Sequence, residues 1–121
     1  MKSVLVALLL VSLFGCASVE QRSRAELVGH WRYADSAQSC DYSFKADGSF
    51  TGQVRQRASV VSSFTGRWSI RGNSLLYTYV SDLFGRIPPG ATDQDQLVEI
   101  RPDSFLIKAA NGAHRRYRRI R

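Results

Sequence analysis

Cys40-Asp41-Tyr42-Ser43-Phe44-Lys45-Ala46-Asp47-Gly48-Ser49-Phe50-Thr51-Gly52-Gln53-Val54 is the stretch that decides the fold. Cys40, Tyr42 and Phe44 alternate with Asp41, Ser43 and Lys45, the two-residue period of a strand with one apolar face. Ala46-Asp47-Gly48 breaks the alternation, and an Asp-Gly pair readily takes the positive φ values that a tight hairpin needs. Beyond it Phe50, Gly52 and Val54 oppose Thr51, Gln53 and Arg55, so the apolar face is carried back along a second strand.

The same pattern runs outward in both directions. Downstream, Phe64, Gly66, Trp68 and Ile70 alternate with Thr65, Arg67 and Ser69, and Arg71-Gly72-Asn73 turns that strand into residues 74–82. Residues 97–100, a turn at Arg101-Pro102-Asp103, residues 104–109, a turn at Asn111-Gly112 and residues 114–120 complete the series, with residues 29–33 upstream. This predicts an all-β domain of about eight antiparallel strands. Closure into an up-and-down barrel lets the first and last strands pair and leaves no exposed edge. Ser23-Arg24-Ala25-Glu26 has the spacing of a capping box and predicts one short helical turn before the first strand. The longest irregular segment is 83–94, where Pro88-Pro89-Gly90 forbids regular pairing. Leu83, Phe84 and Ile87 make it a candidate ligand rim, or a cover over one end of the barrel.

The first 16 residues are of another kind. Lys2, the apolar run 4–14 and the small Gly15 form a secretory leader, and the run of about eleven apolar residues is well short of the roughly twenty that span a bilayer. Leu13-Phe14-Gly15-Cys16 resembles the lipobox of bacterial lipoproteins. The resemblance implies that residues 1–15 are removed, that Cys16 is acylated, that residues 16–26 tether the domain and that residues 27–121 form it. It also implies a membrane partner, with Ala17 and Ser18 resembling outer-membrane sorting residues on the periplasmic side. Cys40 then has no disulfide partner, and its place on an apolar strand face predicts an inert core thiol.

Gly29-His30-Trp31 after a helical turn, and the turn-plus-aromatic run from Phe44 to Phe50, resemble a lipocalin-like domain. In that family the glycine permits close packing at the barrel floor and the tryptophan plugs the closed end, so Gly29 and Trp31 are expected to be structural. Gly66-Arg67-Trp68 repeats the spacing, as a second instance of the motif or as ordinary strand chemistry. The chain is shorter than typical lipocalins, and the family's later arginine contact and C-terminal helix have no counterpart legible in it. Short strands and many aromatics favour a filled interior, with Trp31, Trp68, Phe44, Phe50, Phe64 and Phe105 as core.

The net charge of +7 is almost all arginine, and Arg115, Arg116, Arg118, Arg119 and Arg121 crowd the last seven residues. An exported chain seldom meets nucleic acid, so the anions available to Arg115, Arg116, Arg118 and Arg119 are lipid head groups, lipopolysaccharide phosphates or an acidic envelope protein. The other reading of these arginines is a solvated strand guarded by charge. No catalytic constellation stands out: His30 and His114 lack metal-ligand neighbours in sequence, no nucleophile elbow or phosphate loop occurs, and Asp93 and Asp95 read as turn residues. The expectation is a non-catalytic envelope interaction module without metal or cofactor, its arginines contacting an anionic surface or partner. The alternative is lipocalin-like binding of a small apolar or amphipathic ligand in the barrel.

Overall fold

Eight strands follow one another as β1 (Gly29–Ala34), β2 (Gln38–Phe44), β3 (Ser49–Gln56), β4 (Ser59–Arg71), β5 (Ser74–Asp82), β6 (Thr92–Ile100), β7 (Ser104–Lys108) and β8 (His114–Ile120). The computed structural model describes residues 19–121, so Cys16 and the leader lie outside the described residues. Each strand pairs antiparallel with its neighbour in sequence, and β1 closes on β8 through His30 opposite Ile120 and Trp31 opposite Arg119. The result is the expected closed up-and-down barrel. Register shifts at Val54/Arg55, Thr65/Gly66 and Leu97/Glu99 supply the local bends that closure needs.

The β2–β3 turn forms as its residues dictate. Gly48 alone takes a positive φ, of 91°, while the Asp47 carboxylate accepts from the Ser49 backbone N–H at 2.9 Å and from its hydroxyl at 2.6 Å. Three elements differ from the sequence expectation. Residues 19–27 form a helix, α1, that is already under way before Ser23, so Ser23 lies inside the helix and the capping box is not its start. β4 begins at Ser59, five residues before Phe64, after a two-residue turn in which Arg57 and Ala58 hold φ of 51° and 68°. β6 begins at Thr92, so the long loop ends at residue 91 and Asp93 and Asp95 stand on a strand rather than in a turn.

Inside the barrel the side chains stack in layers. The floor holds Trp31, Phe44, Phe50, Trp68, Leu75, Leu97 and Phe105, with Leu27 of α1 closing it from below. Tyr42 stands above them near the barrel axis, its ring 5.5 to 6.2 Å from those of Phe44, Phe50, Phe64, Tyr77 and Tyr117. Edge-to-face and offset contacts of this kind stabilise beyond the burial of area alone. Gly66 faces the same layer, and a β-carbon there would collide with the Thr78 carbonyl and the Phe50 ring. The floor and middle of the barrel are therefore filled by aromatic side chains, as the sequence led us to expect.

Candidate functional site

Exposure rises toward the other end of the barrel. Trp31, Leu75 and Phe105 on the floor are fully buried, whereas Tyr33, Val54, Asp95, Ala109 and Arg115 at the upper ends of their strands are only half-buried. The mouth is framed by the turns at 35–37 and 57–58, the loop 83–91 and the turn at 109–113. All five tyrosines of the chain, Tyr33, Tyr42, Tyr77, Tyr79 and Tyr117, pack in the middle and upper barrel, because each falls on the inward phase of its strand. Cys40, Asp95 and Arg115 join them on β2, β6 and β8.

The chemistry at this end of the barrel is specific. The Tyr77 hydroxyl donates to Asp95 at 3.0 Å, and the Arg115 guanidinium lies 5.5 Å over the Tyr33 ring. Burial holds the Asp95 carboxyl above its ordinary value, reinforced by the charge of Asp93 and offset in part by Tyr77 and Arg115. Burial likewise pushes the Cys40 thiol up to about 11, the hydroxyls of Tyr42 and Tyr117 only partly offsetting it. Cys40 is thus a protonated, unreactive thiol at neutral pH. Arg115 forms no ion pair with a carboxylate among the described residues.

The rim loop is tied down rather than loose. Asp82, the last residue of β5, accepts from the Ser62 hydroxyl at 2.9 Å and from the backbone N–H groups of Ser63, Phe84, Arg86 and Ile87 at 3.0 to 3.1 Å. Partial burial alone would raise this carboxyl, but those donors bring it down to about 2. Gly90 N–H donates to the Tyr79 carbonyl and Tyr79 N–H to the Ala91 carbonyl, closing the loop's far end. Of the expected rim residues, Ile87 packs against the core, while Leu83 and Phe84 are 84% and 53% exposed.

The C-terminal arginines do not form one patch. Alternation along β8 sends Arg115 and Arg119 inward with Tyr117 and sends Arg116 and Arg118 outward. Arg116 sits between Glu99 and the Ser104 hydroxyl, at 3.4 and 3.3 Å. Arg119 reaches under the floor, its guanidinium 4.1 Å over the Trp31 ring, and donates to the carbonyls of Pro102, Val28 and Glu26. This is an arginine contact that the sequence did not reveal. Gly29, at φ 139°, leaves the space that Arg119 occupies, since a β-carbon there would collide with its guanidinium.

The second Gly-x-Trp shares the indole and arginine arrangement, but its glycine makes room for the Thr78 carbonyl and the Phe50 ring rather than for the arginine. Trp31 donates its indole N–H to the Leu27 carbonyl at 2.8 Å, and Trp68 donates its own to the Lys45 carbonyl at 2.9 Å. Arg24 of α1 lies 4.6 Å over Trp68 as Arg119 lies over Trp31. Trp68 is therefore a second arginine-covered tryptophan of the floor, with Gly48 rather than Gly66 beside its arginine.

His30, on β1, faces Ile120 at the far end of β8 across the seam, whereas His114 starts β8. Among the described residues no group of three or more His, Cys, Asp or Glu side chains is placed to hold a metal ion, and no helix is long and apolar enough to cross a membrane. A groove of about 610 Å³ lies outside the barrel between α1 and β6, with Val19, Leu97, Val98 and Ile100 as its apolar floor and Glu20, Glu26 and Glu99 at its edge. It is separate from the mouth.

No family model and no curated protein matches this chain. Among solved structures it is similar to a lipocalin-like protein from Bacteroides uniformis ATCC 8492, with a TM-score of 0.59 and 19% sequence identity over 78% of this chain and 99% of that one. The domain has a lipocalin-like fold.

Proposed function

We propose that this chain is a lipid-anchored, non-catalytic binding protein of the cell envelope whose barrel mouth holds a small amphipathic molecule. Cys16 carries the lipid, and α1, described from residue 19, is the described element nearest to it in sequence. Leu27 of α1 packs beneath the floor, so the closed floor faces the bilayer, on the periplasmic side of an outer membrane, and the mouth faces away. Two or more acyl chains give stable anchoring where one gives reversible binding.

The observation that carries the binding reading is the placement of the half-buried Tyr33 and Arg115, above the buried Tyr77, Tyr79 and Tyr117, at the one end of the barrel where exposure rises. Tyrosine rings offer flat walls with a polar edge, and Arg115 offers a cation that makes no direct ion pair among the described residues, though Asp95 and Asp35 lie near enough to feel its charge. A filled floor and middle limit the ligand to a small, flat body with an acidic or strongly accepting head. Leu83 and Phe84, exposed on a latched loop, extend the apolar wall beyond the strands. The alternative that relies on the β8 arginines is weaker, because Arg118 is the one outward arginine of β8 without a partner among the described residues.

Native mass spectrometry of the protein extracted from its own host in mild detergent tests both parts. We expect a chain without residues 1–15, carrying acyl groups, with a small molecule retained by the wild type and lost from Arg115→Gln. An unacylated mass with the leader intact refutes the anchor. A bare mass for wild type and variant alike refutes the mouth as a binding site.

A further inference from the structure

Two guanidinium groups meet over Gly48 on the barrel floor. Terminal nitrogens of Arg67 and Arg24 lie 2.8 and 3.2 Å from the point where a β-carbon on Gly48 would stand. Each is fixed by one backbone carbonyl of the β2–β3 turn, Arg67 by Asp47 at 3.0 Å and Arg24 by Ala46 at 3.3 Å. Arg24 is also stacked 4.6 Å over the Trp68 ring. The chain thus holds two like charges side by side on rigid supports, and neither pairs with a carboxylate among the described residues. Asp47, in the same turn, directs its carboxylate to the hydroxyl and N–H of Ser49 and feels the charge of Arg67 without a direct contact to it.

Placing two cations together costs free energy unless something anionic lies between them, and with one nitrogen of each on a carbonyl several donors remain. Guanidinium forks match tetrahedral oxyanions, and a rigid support lowers the ordering cost of recognition. Gly48 supplies the room: any side chain there would enter the space the two guanidiniums share. We propose that Arg24 and Arg67, over Gly48 and Trp68, form a phosphate site, and that it takes the head-group phosphate of the bilayer that carries the anchor. The choice of source rests on the anchor proposed above, because α1, which presents Arg24, is the described element nearest to Cys16 in sequence. The site itself does not depend on that anchor.

The test uses the full-length protein in a neutral detergent, following the Gly48 amide and the Trp68 indole N–H by NMR. Inorganic phosphate and dihexanoyl phosphatidylglycerol are titrated separately. We expect both resonances to move with both probes, the phospholipid saturating at about tenfold lower concentration. The Arg24→Gln/Arg67→Gln variant should lose the response and Arg67→Gln alone should weaken it about fivefold, while Arg86→Gln at the mouth should leave it unchanged. If the double variant does not fold, Arg67→Gln decides, since that side chain is exposed and its loss leaves the core intact. Phospholipid that saturates no earlier than phosphate overturns the membrane source. Resonances that ignore both probes, or an Arg67→Gln variant that responds as wild type, overturn the site. Acylation is read separately from the mass of the protein, so a failed anchor and a failed site give different results.

Discussion

The guanidinium of Arg119 lies 4.1 Å over the ring of Trp31 and carries three backbone carbonyls with it, from Glu26, Val28 and Pro102. One side chain from the last strand thereby ties the helix-to-β1 connection and the β6–β7 turn to the floor. It does so at the seam where β1 and β8 close the barrel, the longest-range pairing in the chain.

Removing that side chain strips several carbonyls of a charged donor at once. Hydrogen bonds to charged groups contribute about 1.5–3 kcal/mol, so Arg119→Ala should destabilise by roughly 3 kcal/mol after water replaces part of the loss. Arg118→Ala, one residue away and outward, should change stability by less than about 0.5 kcal/mol. Thermal unfolding of both variants checks this. Equal melting temperatures would show that the seam does not depend on Arg119.

Alternation and Asp-Gly turns made the barrel legible, because they are local and every strand repeats them. Arg119 was not legible: its role depends on a partner 88 positions away, and on Gly29 having no side chain where the guanidinium lies. The first half of β4 was hidden for a different reason. Arg57-Ala58 takes the backbone of a primed turn without the Asn or Gly that usually marks one. The mouth was half visible. Tyr42 shares the apolar face of Cys40 and Phe44 and was legible, whereas Asp95 read as a turn residue and Arg115 as part of a charged C-terminal run, because neither breaks into view until its strand has a register. The Arg24–Arg67 pair gave no signal at all, since it joins a helix to a strand through the backbone of a third segment.

The Arg57-Ala58 turn makes a prediction about strain. Left-handed backbone costs a residue with a β-carbon about 1–2 kcal/mol, and glycine avoids this at some cost in unfolded-state entropy. Arg57→Asn with Ala58→Gly should therefore stabilise the protein by about 1 kcal/mol. Chemical denaturation should move to a higher midpoint with an unchanged slope. A lower midpoint would mean that the Arg57 side chain makes contacts worth more than the relieved strain.

Asp82 predicts the behaviour of the rim in acid. Its folded pKa, about 2, lies below the unfolded carboxylate value near 3.9, so its contribution is fully present above about pH 4 and is lost as the pH falls through about 2. Asp82→Asn keeps an acceptor but removes the charge. Hydrogen exchange at the amides of Phe84, Arg86 and Ile87 should rise in the variant at pH 7, and its stability should vary less between pH 4 and pH 2. Unchanged protection of those amides would show that the loop is latched by something other than Asp82.

Asp95 predicts the opposite sign, and for a reason that bears on function. Burial holds its carboxyl above the unfolded value, so the folded state favours the protonated form. Stability linked to this group is fully present below the unfolded pKa near 3.9 and is lost as the pH rises through the raised folded pKa. At pH 7 the ionised carboxylate is therefore a burden on the fold, although the Tyr77 hydroxyl donates to it. Asp95→Asn keeps an acceptor for Tyr77 without the buried charge. It should raise the melting temperature at pH 7, by a margin that shrinks as the pH is lowered toward 4. A variant less stable than wild type at pH 7 would mean that the charge is needed for packing. If stability does rise, packing cannot be what retains the carboxylate, and its remaining use is the electrostatic character of the mouth beside Arg115. Retention of the small molecule should then change in Asp95→Asn while the barrel grows more stable, separating the needs of the site from those of the fold.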